Sequence, residues 1–396
     1  MKIDNYKVLF GLKLFKSILE SFVESFLVLY FLTLSDSNII PLAIYKIVAM
    51  TVVFFTIFLL RNICKTKYRV HLLRIGILFD FIHFLSLIIL KEKVIDYIYL
   101  VGILYGLEEG IYYSVYNMFE SDGVTNKERA KFSGYYIAVS SIFSIVFPII
   151  FGGLIKGTGF LNTIIVVLMI VLIRIIISFL FKDKNLPRET KTNLKEFYKI
   201  AQNNKKITEM YKVCFFNGLT YSEGAFSSIV TIYIIKVFSD SFSLGVFTSI
   251  FSLISCLLGV MFAKIIKRKD YANIIGVSMF LTIISLIIMI INCNAITIII
   301  FNFFQTISKK MRSLISGNSE YDLANLSEVK KEYKVEYFLG HEFSLYIGRV
   351  ISQLIFIIMA FVDSIYVIPV FIIFLIILTV DSVKLQNMIN GENVYG

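Results

Sequence analysis

Ionisable and amide side chains recur at helical spacing inside stretches that are otherwise apolar. Lys13, Lys16, Glu20 and Glu24 share one helix face, with Lys16 and Glu20 placed to pair. Tyr105, Glu109, Tyr112, Tyr116 and Glu120 make a second face, while Gly102, Gly106 and Gly110 lie on another side of the same segment and permit close helix packing. Asn217, Tyr221, Gly224 and Ser228 form a third stripe, with Glu223 beside it; Asn302, Gln305, Lys309 and Arg312 form a fourth. Glu342, Tyr346, Arg349 and Gln353 form a fifth, next to His341, and Arg349 is expected to pair with an acidic residue. A carboxylate at the centre of a bilayer costs roughly 2.5–3.5 kcal/mol, so it faces a partner or a water-filled cavity. Desolvation makes a carboxyl hold its proton and a nearby lysine makes it let go, so such groups can exchange protons or cations. Glu109 and Glu223 are the first candidates for that chemistry, followed by Glu20. A fixed Glu20–Lys16 pair that merely locks helices is an equal reading for Glu20 and Glu24. Glu108, adjacent to Glu109, is expected to point elsewhere.

Other chemistry is not encoded. No Gly-x-x-x-x-Gly-Lys-Ser/Thr loop, Gly-x-Ser-x-Gly turn or paired-cysteine site occurs, and no connecting segment is long enough for a catalytic domain. No enzymatic activity and no cofactor are expected. Cys64, Cys214, Cys256 and Cys293 are scattered and read as buried thiols. His341-Glu342 is not a zinc motif, because Leu345 stands four residues after His341. Asp80 and His83, three apart, read as packing residues, and Arg174 and Lys46 as snorkelling side chains near span ends.

The elements that carry these stripes follow from composition. Of 396 residues 57% are hydrophobic and 17% charged, and the mean hydropathy is +0.80. Such values belong to a polytopic membrane protein, and runs longer than strands must cross as helices. The spans read Tyr6–Leu34, Ile39–Leu60, His71–Leu90, Val94–Phe119, Phe132–Leu154 and Phe160–Leu180, then Tyr211–Val237, Phe242–Ile265, Tyr271–Ile291, Ala295–Gly317, Glu336–Phe361 and Ile365–Val380. The expected fold is all-α, with about twelve transmembrane helices in two six-helix bundles, 1–181 and 207–396, joined by a cytoplasmic linker, 182–206. The net charge of +11 is distributed through alternate loops, including Arg61, Lys65, Lys67, Lys127, Lys182 to Lys206, Lys267 and Arg268. That is a topology signal rather than a nucleic-acid patch, and it puts both termini in the cytoplasm. The first span is too long for a signal-peptide core and reads as retained.

The halves echo each other at an offset of about 200 residues: Ser35-Asp36-Ser37 with Ser239-Asp240-Ser241, Arg61–Arg69 with Lys264–Lys269, and Asn117 to Asp122 with Asn318 to Asp322. Twelve spans in two halves joined by a basic loop, with Lys and Arg between the second and third spans, resemble the major facilitator superfamily. Of that family's Gly, Asp, Arg/Lys and Gly loop signature, Leu59 to Lys67 keeps only the basic residues, and Gly259 to Asp270 keeps a leading Gly and a basic run. Pro148 to Gly153 is similar to a fragment of the Pro/Gly pattern of the family's exporters. The resemblance implies that the first and fourth helices of each half line a central cavity, giving Glu20, Glu24, Glu109, Tyr112, Tyr116, Asn217, Tyr221, Glu223, Asn302 and Gln305 as cavity residues; Arg349 of the eleventh span joins them. Arg61, Lys65, Lys67, Lys267 and Arg268 are the expected gating loops. It also implies a secondary transporter, working here as a monomer on a small-molecule substrate with protons as coupling ion, in the direction of export. The alternatives are uptake or flipping of a polar or zwitterionic solute or lipid, and a non-transporting sensor. The richness in Ile, Lys, Phe and Asn fits an AT-rich bacterial genome, and so the cytoplasmic membrane of a bacterium.

Overall fold

The computed structural model describes residues 5–123, 126–182, 192–221, 224–237, 240–265, 267–326, 329, 333–362 and 364–392, with side chains described except at 5–6, 120–123, 126–138, 141, 236, 255, 258–265, 364–366 and 392. In chain order the helices are α1 (Asn5–Phe22), α2 (Val28–Leu34), α3 (Ile40–Leu60), α4 (Arg69–Leu90), α5 (Ile98–Gly123), α6 (Asn126–Thr158), α7 (Phe160–Leu180), α8 (Leu194–Asn203), α9 (Lys205–Thr220), α10 (Ala225–Val237), α11 (Ser241–Ile265), α12 (Tyr271–Ile291), α13 (Ala295–Ala324), α14 (Lys334–Ile358) and α15 (Ser364–Glu392). A π-helical turn, Val23–Leu27, joins α1 to α2 into one passage. With α9 and α10 also taken as one passage and α8 set aside as a short linker helix, these helices give the twelve passages read from the sequence.

Among the described residues seven segments are long and apolar enough to cross a membrane: Lys7–Leu34, Ile40–Leu60, Arg69–Val94, Phe160–Leu180, Arg268–Ile291, Lys334–Ile358 and Val367–Gly391, with shorter apolar helices at Ile142–Thr158 and Ser241–Ile254. Local chemistry sets several boundaries. Pro41 stands in the first turn of α3, where its missing N–H costs nothing. A capping box of Asn294 and Thr297 starts α13. Asn193 caps α8 by accepting from the Glu196 amide.

The chain divides into two compact units: Met1–Lys191 with Phe238–Leu253, and Thr192–Val237 with Ile254–Gly396. Within the first, α5 packs against α3 through its glycine face. A Cβ on Gly106 would come within 2.5 Å of the Ala49 carbonyl, one on Gly110 within 2.7 Å of Thr56 Cβ, and one on Gly102 within 3.0 Å of the Tyr45 carbonyl. Gly76 of α4 similarly approaches the Tyr112 amide. Lipid tails are as apolar as leucine, so hydrophobicity does not drive helices together within a bilayer; close packing of this kind and buried polar contacts do. Phe22, Phe26, Phe84 and Phe151 are fully enclosed and meet edge to face or tilted. Gly152 of α6 lies against the Ser241 carbonyl and Gly245 of α11 against the Pro148 carbonyl, so the Pro148 to Gly153 stretch serves a close crossing of α6 with α11.

The second unit is built around α9 and α14. Gly218 and Gly348 meet the opposing backbone, at Leu345 and Phe215 respectively. Ser319 of α13 and Gln386 of α15 are hydrogen-bonded at 2.9 Å, and the Thr282 hydroxyl of α12 donates to the Phe304 carbonyl at 3.1 Å. The expected single span Tyr211–Val237 is instead two helices. α9 ends at Thr220, and a Cβ on Gly224 would lie 2.5 Å from the Gly218 carbonyl and 2.8 Å from that of Thr220, so the chain there folds back on the preceding turn. α10 then begins with the Ala225 amide donating to Ser352 Oγ of α14 at 3.0 Å.

Candidate functional site

The first unit encloses a connected group of charges. Lys16 of α1, 3% exposed, donates to Glu108 at 2.7 and 2.6 Å and to Glu109 at 2.5 Å. Arg174 of α7, fully buried, pairs with Asp80 of α4 and stands 3.6 Å from Glu108. Four helices thus meet through two cations and three carboxylates. Glu20, one turn after Lys16, accepts from the Tyr113 hydroxyl at 2.5 Å and adds a fourth carboxylate. Its electrostatic neighbours are Lys16, Glu109 and Glu24.

Aromatic rings wall the group. Tyr112 is 1% exposed; the Arg174 guanidinium lies over its ring at 4.4 Å, and Lys16 Nζ lies 5.9 Å from the Tyr112 and Tyr105 centroids. Tyr116 stacks on Tyr112 at 5.2 Å and has Lys13 Nζ over its ring, 5.3 Å from the centroid. His83, fully buried, has neither ring nitrogen hydrogen-bonded and lies 5.3 Å from the Tyr105 ring. Cation–ring contacts of this sort lower the cost of keeping ammonium and guanidinium groups out of water.

Several expectations are revised here. Glu108 does not point away: it shares Lys16 with Glu109, because adjacent residues on α5 straddle the seam into which the long lysine side chain reaches. Lys16 forms its hydrogen bonds with those two residues, and Glu20 bonds Tyr113 instead. Arg174 does not snorkel; it lies well inside α7 and is neutralised by Asp80. Glu24 stands in the π-helical turn and is exposed.

In the second unit Arg312 of α13, 6% exposed, stacks over the Tyr221 ring with Cζ 4.0 Å from its centroid. The buried Asn217 carboxamide oxygen has no donor. Asn302 donates back to its own helix at Ile298, and Gln305 is half-buried. Arg349 lies 3.5 Å from Glu342, and His341 lies 3.6 Å from Glu320 and 3.8 Å from Glu342. Glu223 and the Glu120 side chain lie outside the described residues. Among the described residues no three His, Cys, Asp or Glu side chains are grouped to hold a metal ion.

Of the basic loop residues, Arg61 donates to the Phe58 carbonyl at 2.5 Å, Lys65 is buried, and Lys67 lies 5.5 Å from the Tyr68 ring. Between them, burial pushes the Cys64 thiol up to about 11, which makes it unreactive. Lys267 is exposed, and Arg268 pairs with Asp322 near the end of α13.

Comparison with known proteins places the fold. A Bacillus subtilis (strain 168) protein, the uncharacterised YqgE, is 23% identical over 327 residues, covering 81% of this chain and 75% of that protein. The crystal structure of a bacterial homologue of the iron transporter ferroportin, in an outward-facing state, superposes with a TM-score of 0.65 over 97% of this chain and all of that one; at 13% identity the likeness is one of fold. The family model described as Major Facilitator Superfamily matches residues 47–309, well over half of the sequence. The chain belongs to the Major Facilitator Superfamily and has the fold of its transporters.

Proposed function

We propose that the protein is a proton-coupled secondary transporter that exports a small molecule by alternating access, with the carboxylates around Glu109 as its coupling site. The supporting observation is charge balance in the first unit. Glu20, Asp80, Glu108 and Glu109 outnumber Lys16 and Arg174, and still outnumber them when Lys13 is counted. Such a group, enclosed by tyrosines within membrane-length helices, reaches neutrality by taking up protons or a cation. Glu109 is the most exposed of the carboxylates on Lys16, its side chain at 10% against 0% for Glu108, so it is the one placed to exchange. The distribution of basic loops supports both termini on the cytoplasmic side.

The test is accumulation, in expressing cells, of a panel of lipophilic dyes that includes cationic and carboxylated members. Expression lowers accumulation of some members, and both a protonophore and Glu109→Gln restore it. Efflux that persists at full rate in Glu109→Gln and in the protonophore removes proton coupling at this site.

A further inference from the structure

Arg312 differs from Lys16 and Arg174 in having no anion against it among the described residues. Its Nη1 is enclosed without an acceptor, and among the described residues it forms no hydrogen bond and no ion pair; its close neighbour is the Tyr221 ring. Stacking on a ring offsets only part of what it costs to take a guanidinium out of water, and a buried charge ordinarily finds a counter-ion. The surroundings are polar and enclosed. Tyr221 is 5% exposed, and Ser308 lies beside its hydroxyl. Asn217, one turn earlier on the same face, has an unpartnered carboxamide oxygen. The Arg312–Tyr221 stack also sits where the helical path of α9 stops and before α10 resumes, and discontinuous membrane helices commonly form ligand sites in transporters.

We propose that Arg312, held over the Tyr221 ring, binds an oxyanion group of a small ligand, a carboxylate or a phosphate, within the second unit. The planar guanidinium presents paired N–H donors that match two oxygens of either group, and the ligand supplies the charge that the described fold omits. The assignment of that ligand as cargo rests on the transporter reading; the binding itself does not.

The chain has no tryptophan, so Tyr221→Trp places a single reporter against Arg312 while keeping an aromatic surface for it. The purified protein is titrated with benzoate, with phenyl phosphate and with phenyltrimethylammonium. One or both oxyanions give a saturable emission change, the cation gives none, and the stronger of the two identifies carboxylate or phosphate. Arg312→Gln in the same background weakens the response at least tenfold, and Arg312→Lys, which keeps charge but loses the fork, falls between. If Tyr221→Trp does not fold, the same ligands are scored by the rise in unfolding temperature of the otherwise unaltered protein and of Arg312→Gln. An absent oxyanion response, or an equal one in Arg312→Gln, overturns the proposal. So does a response that emerges only in Glu223→Gln, or a fall in unliganded thermal stability on Arg312→Gln, since both reveal an internal counter-ion. The titration needs no gradient, so failed dye efflux leaves its outcome unaffected.

Discussion

The two units carry their interior charge in opposite ways. In the first, Lys16 and Arg174 are each held by carboxylates from other helices, and the surplus is negative. In the second, Arg312 rests on a tyrosine with no carboxylate against it among the described residues, while His341, Glu320, Glu342 and Arg349 form a looser group with separations of 3.5 to 3.8 Å. The two compact units therefore differ in how their buried charge is balanced. The first ties α1, α4, α5 and α7 together; under the readings proposed above it takes up a small cation, and the second offers a cation to an oxyanion. Buried pairs are strongly destabilising to break because the surviving partner is stranded, whereas an unpaired buried charge has no partner to strand.

That asymmetry can be broken by substitution. Lys16→Ala strands Glu108 and Glu109 together and should lower stability by about 3–5 kcal/mol in thermal or denaturant unfolding of the purified protein, the largest effect expected. A Lys16→Ala protein as stable as the parent would remove the contrast. Arg174→Gln and Asp80→Asn should each cost roughly 2–3 kcal/mol, and the double variant less than their sum by about 1–2 kcal/mol; strict additivity would show that the pair does not act as a unit. Gly106→Val forces a side chain into the Ala49 carbonyl and should cost about 1–3 kcal/mol, while Gly157→Ala, with nothing within 4 Å of the added carbon, should be near neutral. The smallest effect concerns Asp240, at the start of α11. The hydroxyl and amide of Ser243 hold its carboxyl below the usual aspartate range, helped by Lys156 and the Phe242 amide. A depressed folded-state value adds stability above the ordinary aspartate range and loses it as pH falls through the folded value. Asp240→Asn should therefore slightly flatten the acid side of the stability profile, and an unchanged profile would remove that contribution.

The helical period made part of this legible. Glu109, Tyr112 and Tyr116 on one side of α5, and Gly102, Gly106 and Gly110 on another, follow from spacing, and the glycine face does meet α3 closely. Partner choice was not legible, because Lys16 and Glu108, or Asp80 and Arg174, are more than ninety residues apart and local pattern carries no information about which helices touch. One clue was available: Lys16 lies eleven residues into α1 and Asp80 eleven into α4, helices that start from the same side by the basic-loop rule, so both charges sit at similar depth. The interruption after Thr220 had a weaker signal in Gly218 and Gly224. Its decisive feature, the Ser352 hydroxyl that caps α10 from another helix, has no local trace.

Gly218 and Gly348 place a limit on how this sequence can drift. A methyl group at either would meet backbone of the opposing helix rather than a side chain that a second mutation could trim. Compensation by a neighbouring substitution is therefore closed at both positions, and any lineage that keeps this crossing must retain both glycines together or rebuild the α9–α14 contact at a new distance.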